Sequence, residues 1–247
     1  MNWKITTLAS VDSTNTYLSC EAAKGAPEGS VVRAVTQSAG RGRQGRTWIS
    51  RPEAGLYFSI LLRPPVKPEE AITLPLVAGL AVAEALQPYL PDMPLLIKWP
   101  NDILLGNRKL SGILCEMNAD MSGLSHVIIG IGVNVNLTTD EMPQEIANIA
   151  TSLIDAAKKR FEIEEVLHSI LKSFEAVYAS WLEGGFAAIH ERISARDALI
   201  GRELAIELIG EPISGKAVGI AKNGALLLQT KEGSIKEIIS GEAHLRK

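Results

Sequence analysis

Cysteine is scarce in this chain. Cys20 and Cys115 are its two thiols, far apart and without a C-x-x-C pairing. That excludes a disulfide framework, gives no zinc-ligand spacing and fits a reducing compartment. Long apolar runs are missing too. The longest, Leu74 to Ala83, contains Pro75 and ends at Glu84, too short to cross a bilayer. No basic-then-apolar signal pattern opens the sequence. A cytoplasmic protein without a membrane partner is therefore expected. An excess of positive charge is also lacking. The 25 Lys and Arg against 28 Asp and Glu give a formal net charge of −3, and the pI is about 5.9. That balance speaks against general nucleic-acid binding. What is present suits a packed core: 46% of the 247 residues are hydrophobic, enough for one large domain or a large and a small one.

One absence is local. From Gly29 to Pro52 there is no acidic residue, yet Arg33, Arg41, Arg43, Arg46 and Arg51 all fall there. At its centre lies Gly40-Arg41-Gly42-Arg43-Gln44-Gly45-Arg46-Thr47-Trp48. Glycine lets backbone N–H groups approach a ligand closely, and arginine offers a fixed fork of donors to carboxylate or phosphate. An anion site is one reading; a solvated basic loop is the other. The glycines also satisfy G-x-G-x-x-G and nearly a P-loop. Both motifs need a helix to begin at once. The glycines here lead instead into Trp48-Ile49-Ser50-Arg51-Pro52 and the strand-like Leu56–Leu62, so both are rejected.

Along the chain, Trp3–Leu8 reads as a strand and Ser10–Asn15 as capping residues of an Ala-rich helix reaching about Lys24. Ser13, Thr14 and Asn15 either cap that helix or turn polar groups to a ligand. Ser30–Gln37 is a strand that delivers Gln37 to the Gly/Arg loop. Pro68–Gln87 has helical spacing. Leu95–Trp99 is a short strand, Pro100-Asn101-Asp102 a turn, and Arg108–Met117 a strand with Gly112 inside it, a mark of close approach. Val127–Asn136 is a strand carrying Gly130 and Gly132. Residues 137–147 read as a loop, and helices continue from there to about Ala198. From Gly201, four short strands with Gly-containing turns predict a small antiparallel barrel.

Taken together and in this order, the loop, Lys98-Trp99-Pro100-Asn101-Asp102, Lys109-Leu110-Ser111-Gly112-Ile113-Leu114, Gly130-Ile131-Gly132-Val133-Asn134 and the upstream Ser13-Thr14-Asn15 resemble the biotin protein ligases. The resemblance implies an α+β fold: a mixed β-sheet flanked by helices, as in class II aminoacyl-tRNA synthetases, over residues 1–199, and an SH3-like β-barrel over 200–247. It implies a biotin–[biotin carboxyl carrier protein] ligase. Biotin's carboxylate attacks the α-phosphate of ATP, giving biotinyl-5′-AMP and pyrophosphate; a lysine of a biotin carboxyl carrier domain then takes the biotin. Mg²⁺ is expected with ATP. The family's N-terminal DNA-binding winged helix is not matched, which implies the ligase-only class and no DNA partner. A homodimer is left open.

By resemblance, Ser13, Thr14, Asn15, Gln37, Arg41 and Gly42 line the biotin end, with Gly112 beside them. Arg43 bridges biotin's carboxylate and the adenylate phosphate, Arg46 faces the leaving pyrophosphate, and Trp48 supports the loop on the ATP side. Lys109 is the main electrophilic residue, against the reading of a solvated lysine beside Arg108. Asn101 and Asp102 serve ATP or the second step, Asp102 by orienting the amine or holding Mg²⁺. Asn134 reads adenine, unless it is a strand-end turn, and Arg246 reaches toward the phosphates. Two other functions compete: a lipoate or octanoate ligase of the same superfamily, and a nucleic-acid-binding regulator. The polar Ser-Thr-Asn cluster with Gln37 suits a ureido ring rather than a lipoyl one.

Overall fold

The computed structural model describes residues 1–121, 123–207 and 212–245. β1 (Lys4–Val11) and β2 (Ser30–Gln37) run parallel, so the chain must cross over between them, and α1 (Thr14–Ala23) makes that crossing. β3 (Gly55–Leu62) comes after the Gly/Arg loop. A helical stretch then leads to β4 (Leu95–Lys98), β5 (Asp102–Leu105), β6 (Arg108–Asp120) and β7 (Gly123–Asn134). The seven strands form one mixed sheet in the order β1-β2-β3-β7-β6-β5-β4.

The sequence predicts one helix over Pro68–Gln87. The structure has two, α2 (Pro68–Ala71) and α3 (Leu74–Leu86). Pro75 is the reason: it has no N–H to donate to Ala71 O, so the ladder breaks there. The stretch from Pro68 to Tyr89 is long and apolar enough for a membrane span, but two-thirds of its most apolar window is buried within the protein. Residues 137–147 are also more ordered than the loop expected from the sequence. They hold a 3₁₀ turn at Thr139–Glu141 and the short helix α4 (Gln144–Ala147), each opened by a proline or a capping box. The helical region continues through α5 (Leu153–Ala157), α6 (Ile163–Gly184) and α7 (His190–Ser194). Along α6, Val166, Leu167, Ile170, Leu171, Phe174, Val177, Tyr178 and Trp181 recur at three- and four-residue steps and are all buried.

The two faces of the sheet differ because alternate residues differ. Phe58, Ile60 and Leu62 of β3 and Ile129, Ile131 and Val133 of β7 join α3 and α6 in the main core. On the other face, Leu61, Val32 and Ile128 meet Leu18 and Ala22 of α1. Further along that second face stand Ser59, Gly130, Gly132 and Gly112, paired as Ser59↔Gly130 and Gly112↔Gly132. Here the strands offer small residues instead of apolar ones, and the site forms in that space.

After α7 come five antiparallel strands, one more than the sequence predicts: β8 (Glu203–Glu207), β9 (Ile213–Ile220), β10 (Leu226–Gln229), β11 (Ile235–Ile238) and β12 (Glu242–Leu245), ordered β11-β10-β9-β8-β12. The turn expected at Gly210-Glu211-Pro212 lies largely outside the described residues. Leu204, Ile206, Ala217, Ile220 and Leu226 belong to the same core as α3. Trp99 Nε1 donates to Gly224 O at 3.1 Å. The small sheet is therefore fastened to the large one, and β12 reaches the Gly/Arg loop.

Candidate active site

The loop turns back on itself. Arg41 bridges Thr47, Gly42 N donates to Arg46 O at 2.7 Å and Trp48 N to Gly40 O at 2.9 Å. Arg43–Gly45 make a single 3₁₀ turn, with Gln44 at φ 54°. No α-helix intervenes before β3, as the sequence predicts. Trp48 folds down onto the sheet: a Cβ at residue 132 would lie 2.4 Å from Trp48 Cε2, so only glycine admits the ring. Its indole Nε1 is buried with no hydrogen-bond partner among the described residues.

Beneath the loop is a cavity of about 50 Å³, lined at one end by Ser13, Thr14, Asn15 and Gln37 and at the other by Arg43, Asn101 and Lys109. The first end is a closed hydrogen-bond network. Thr14 N donates to Gln37 Oε1 at 2.8 Å, and Gln37 Nε2 donates to Ser50 Oγ at 3.0 Å. Ser59 Oγ lies 2.6 Å from Asn15 Oδ1 and 2.7 Å from Thr14 Oγ1. Asn15 Nδ2 donates to Glu116 Oε2 at 2.7 Å. Gly130 makes room: a Cβ there would lie 2.2 Å from Asn15 Oδ1. Ser13, Thr14, Asn15 and Ser59 are all buried, and a buried polar group left unpaired costs about 1–3 kcal/mol. Ser13 makes no side-chain cap on α1, which removes the capping explanation for that residue.

The second end gathers charge. Lys109 lies near the start of β6, where an extra residue, Leu110, interrupts the β5–β6 register between Ile103 and Leu104. A bulge re-aims a side chain, and this one lets Lys109 share the cavity with Gly112, three residues on. Residues 149–151 pin its backbone, with Lys109 N donating to Ile149 O at 2.8 Å. The ammonium is 2.6 Å from Asp102 Oδ1 and 5.4 Å from the Trp48 ring centre. Arg43 donates to Asn101 Oδ1 and to Gly241 O, each at 3.1 Å. Arg41 pairs with Glu116 at 2.9 Å, and Arg46 pairs with Glu242 of β12. Burial lowers the pKa of Arg43, opposed by Asp102. Burial also lowers that of Lys98, against the pull of Asp102 and with the repulsion of Lys109 and Arg46. An adjoining space of about 100 Å³ is lined by Arg46, Lys98, Asp102, Lys109 and Glu242.

The structure thus brings Ser13, Thr14, Asn15, Gln37, Arg41, Gly42, Arg43, Trp48, Asn101, Lys109 and Gly112 to one cavity, with Arg46 and Asp102 in the adjoining one. Asn101 is held by β6, its Nδ2 donating to Ile113 O at 2.7 Å, and it orients Arg43. Asn134 lines neither space; its Nδ2 donates to Thr151 O at 3.0 Å. Arg246 lies outside the described residues. Four contributors are absent from the candidates the sequence supplies: Ser59, Lys98, Glu116 and Glu242. Glu116 had a signal, since it stands four residues after Gly112 on the same strand and at even spacing.

A neutral, hydrogen-bonded end joined to an end of converging cations suits an enzyme that holds a small carboxylic acid against a nucleotide phosphate. Comparison with known proteins gives the family. Residues 7–134 match the biotin/lipoate A/B protein ligase family and residues 199–246 the biotin protein ligase C-terminal domain. The chain is 39% identical over 220 residues to the bifunctional ligase/repressor BirA of Bacillus subtilis, covering 89% of this chain and 67% of that one. It is 32% identical over 244 residues to the biotin–[acetyl-CoA-carboxylase] ligase of Mycobacterium tuberculosis, covering 97% and 88%. A structure of the Aquifex aeolicus biotin protein ligase with biotin and ATP superimposes with a TM-score of 0.85 at 38% identity, covering 99% of each chain. The chain belongs to the biotin protein ligases, and its mixed sheet flanked by helices is their fold.

Proposed function

We propose that this enzyme activates biotin with ATP and transfers it to a lysine of a biotin carboxyl carrier domain. The observation that carries the reading is the single cavity whose neutral end and cationic end adjoin. The ring of biotin occupies the network of Ser13, Thr14, Asn15 and Gln37, with Arg41 and Gly42 above it and Gly112 beneath. The carboxylate then points to Arg43 and Lys109. A carboxylate oxygen attacks the α-phosphorus, pyrophosphate leaves past Arg46, and Lys109 and Arg43 neutralise the charge that gathers between the two anions. In the second step the carrier amine attacks the acyl carbon, and AMP leaves. Trp48, Asn101, Asn134 and Arg246 serve the nucleotide in this reading.

Mg²⁺ commonly takes one or two protein carboxylates together with substrate phosphates. Asp102 lines the phosphate side of the site and fits that mode. The three-ligand cluster of Glu207, Glu242 and His244 lies on the small sheet instead, with Glu242 already paired to Arg46. The metal's contribution would be to shield the triphosphate.

The same reading divides the chain into a catalytic part, 1–199, and an SH3-like part, 200–247, acting in the cytoplasm without DNA or a membrane, as a monomer or homodimer. It is tested by exchange of labelled pyrophosphate into ATP. Exchange that requires biotin and is not supported by lipoate or octanoate is expected. Exchange supported by lipoate would reassign the enzyme to the lipoate branch.

A further inference from the structure

We propose that Glu116 is a positioning residue that fixes which atoms at the neutral end donate and which accept, and so selects a ring that carries N–H groups. The inference rests on the biotin reading and deepens it. A carboxylate can only accept. Glu116 Oε2 receives Asn15 Nδ2 at 2.7 Å and Arg41 Nη2 at 2.9 Å, and Leu114 O takes Asn15 Nδ2 at 3.3 Å. Turning the amide over would set Asn15 Oδ1 against two acceptors. Asn15 Oδ1 therefore faces Ser59, 2.6 Å away, and takes the one hydroxyl hydrogen that Ser59 has. Thr14 Oγ1 is 2.7 Å from Ser59 Oγ and 3.2 Å from Gln37 Oε1, which already receives Thr14 N at 2.8 Å, so the hydrogen of the shorter contact, between the two hydroxyls, belongs to Thr14. Thr14 has none left for a ligand. Its oxygen, in a residue that lines the cavity, offers a lone pair.

The order Thr14 to Ser59 to Asn15 to Glu116 runs one way and ends on a charge. Such a row of hydrogen bonds polarises its members in the same sense, which makes Thr14 a better acceptor. A cyclic urea supplies the N–H that this acceptor requires. A ring with oxygen, sulfur or methylene in that place leaves a buried acceptor unpaired, and mismatches of that kind discriminate strongly. Arg41, on the same carboxylate oxygen, ties the Gly/Arg loop to this arrangement. Without Glu116 only the longer contact to Leu114 O, at 3.3 Å, opposes a turn of the Asn15 amide, and the row loses its fixed direction.

The test compares Kd values, without ATP, for biotin and for two cyclic carbamate analogues in which each ring N–H in turn is replaced by oxygen. The wild-type enzyme should prefer biotin over the weaker carbamate by about 100-fold. Glu116→Gln keeps an acceptor oxygen for Asn15 and should keep most of that ratio. Glu116→Ala, shown to be folded by its melting curve, should reduce it to less than about 10-fold. A general loosening of the pocket weakens both ligands and leaves the ratio unchanged, so an unchanged ratio in folded Glu116→Ala overturns the proposal. If that variant does not fold, Ser59→Ala takes its place: it frees the Thr14 hydrogen to turn from Gln37 Oε1 to a carbamate oxygen, and the ratio must collapse there too or the proposal fails. Wild-type enzyme that binds neither biotin nor the carbamates would instead overturn the biotin reading itself.

Discussion

The two ends of the cavity are built on opposite plans. At the neutral end, Thr14, Asn15, Gln37 and Ser59 hold one another in place by hydrogen bonds, and the sheet beneath is cut to fit, with Gly130 under Asn15. At the cationic end, protein acceptors pair with the cations proposed to meet ligand anions: Asp102 on Lys109, Glu242 on Arg46, Gly241 O on Arg43. The first end reads a shape that it already complements. In the proposed reaction a carboxylate and a triphosphate replace those partners, which until then limit the repulsion among Lys98, Lys109, Arg43 and Arg46. Preorganisation suits recognition, and exchangeable pairing suits a step in which charge moves.

The largest expected effect lies at the cationic end. Lys109→Ala should lower biotinyl-AMP formation by ~10²–10³, the usual cost of losing one donor aimed at developing charge. Rapid-quench measurement of the adenylate checks this, and a near-normal rate in a folded variant would remove Lys109 from the chemistry. At the neutral end, Gly130→Ala places a methyl group 2.2 Å from Asn15 Oδ1. Displacing that amide should raise the Kd for biotin by about 10- to 100-fold, while ATP binding alone changes little. Equal losses for both ligands would erase the distinction between the ends.

Smaller effects sharpen the comparison. Arg46 is 57% exposed in its pair with Glu242, so that pair contributes at most about 1 kcal/mol. Glu242→Ala should therefore lower the KM for ATP, by up to about fivefold. A raised KM would mean that Glu242 holds the loop in its active shape instead. Lys98 gives the smallest signal. Burial puts its pKa below the ordinary 10.5, so the unfolded chain binds that proton more tightly and stability rises with pH over the window just under 10.5. A phosphate near Lys98 reverses the shift. ATP binding in that window should take up a fraction of a proton, seen by calorimetry in buffers of different ionisation heat, and Lys98→Met should abolish the uptake.

Much of this site was legible because its chemistry is local. The alternation of glycine and arginine, without a single acid nearby, marks the loop, and Gly112, Gly130 and Gly132 show as interruptions in otherwise apolar strands. What was not legible depends on distant partners. Glu116 shows its spacing from Gly112 in the sequence, but its role comes from Asn15, 101 residues away. Ser59 sits inside a strand whose eight residues are all buried, and its hydroxyl matters only once α1 is laid over that strand. Strand β5 is four residues long and comes directly after a proline turn, so its start at Asp102 read as part of the turn. The bulge at Leu110, which aims Lys109 into the cavity, exists only as a mismatch between two strands. Glu242 reaches Arg46 through β12, the strand that the short spacing at the end of the small sheet concealed.

Hydrogen exchange tests the contrast between the ends most directly. Amides of the Gly/Arg loop, residues 40–48, and those of β3 and the first turn of α1 are monitored in the free enzyme and with biotin and ATP. The account predicts that the loop exchanges rapidly when free and slows at least tenfold when both ligands are present, as its cations change partners and its glycine-rich backbone is fixed. The amides around Ser59 and Asn15 should be protected from the start and change little. Equal protection of the loop in both states, or a neutral end that becomes ordered only when biotin binds, would contradict it.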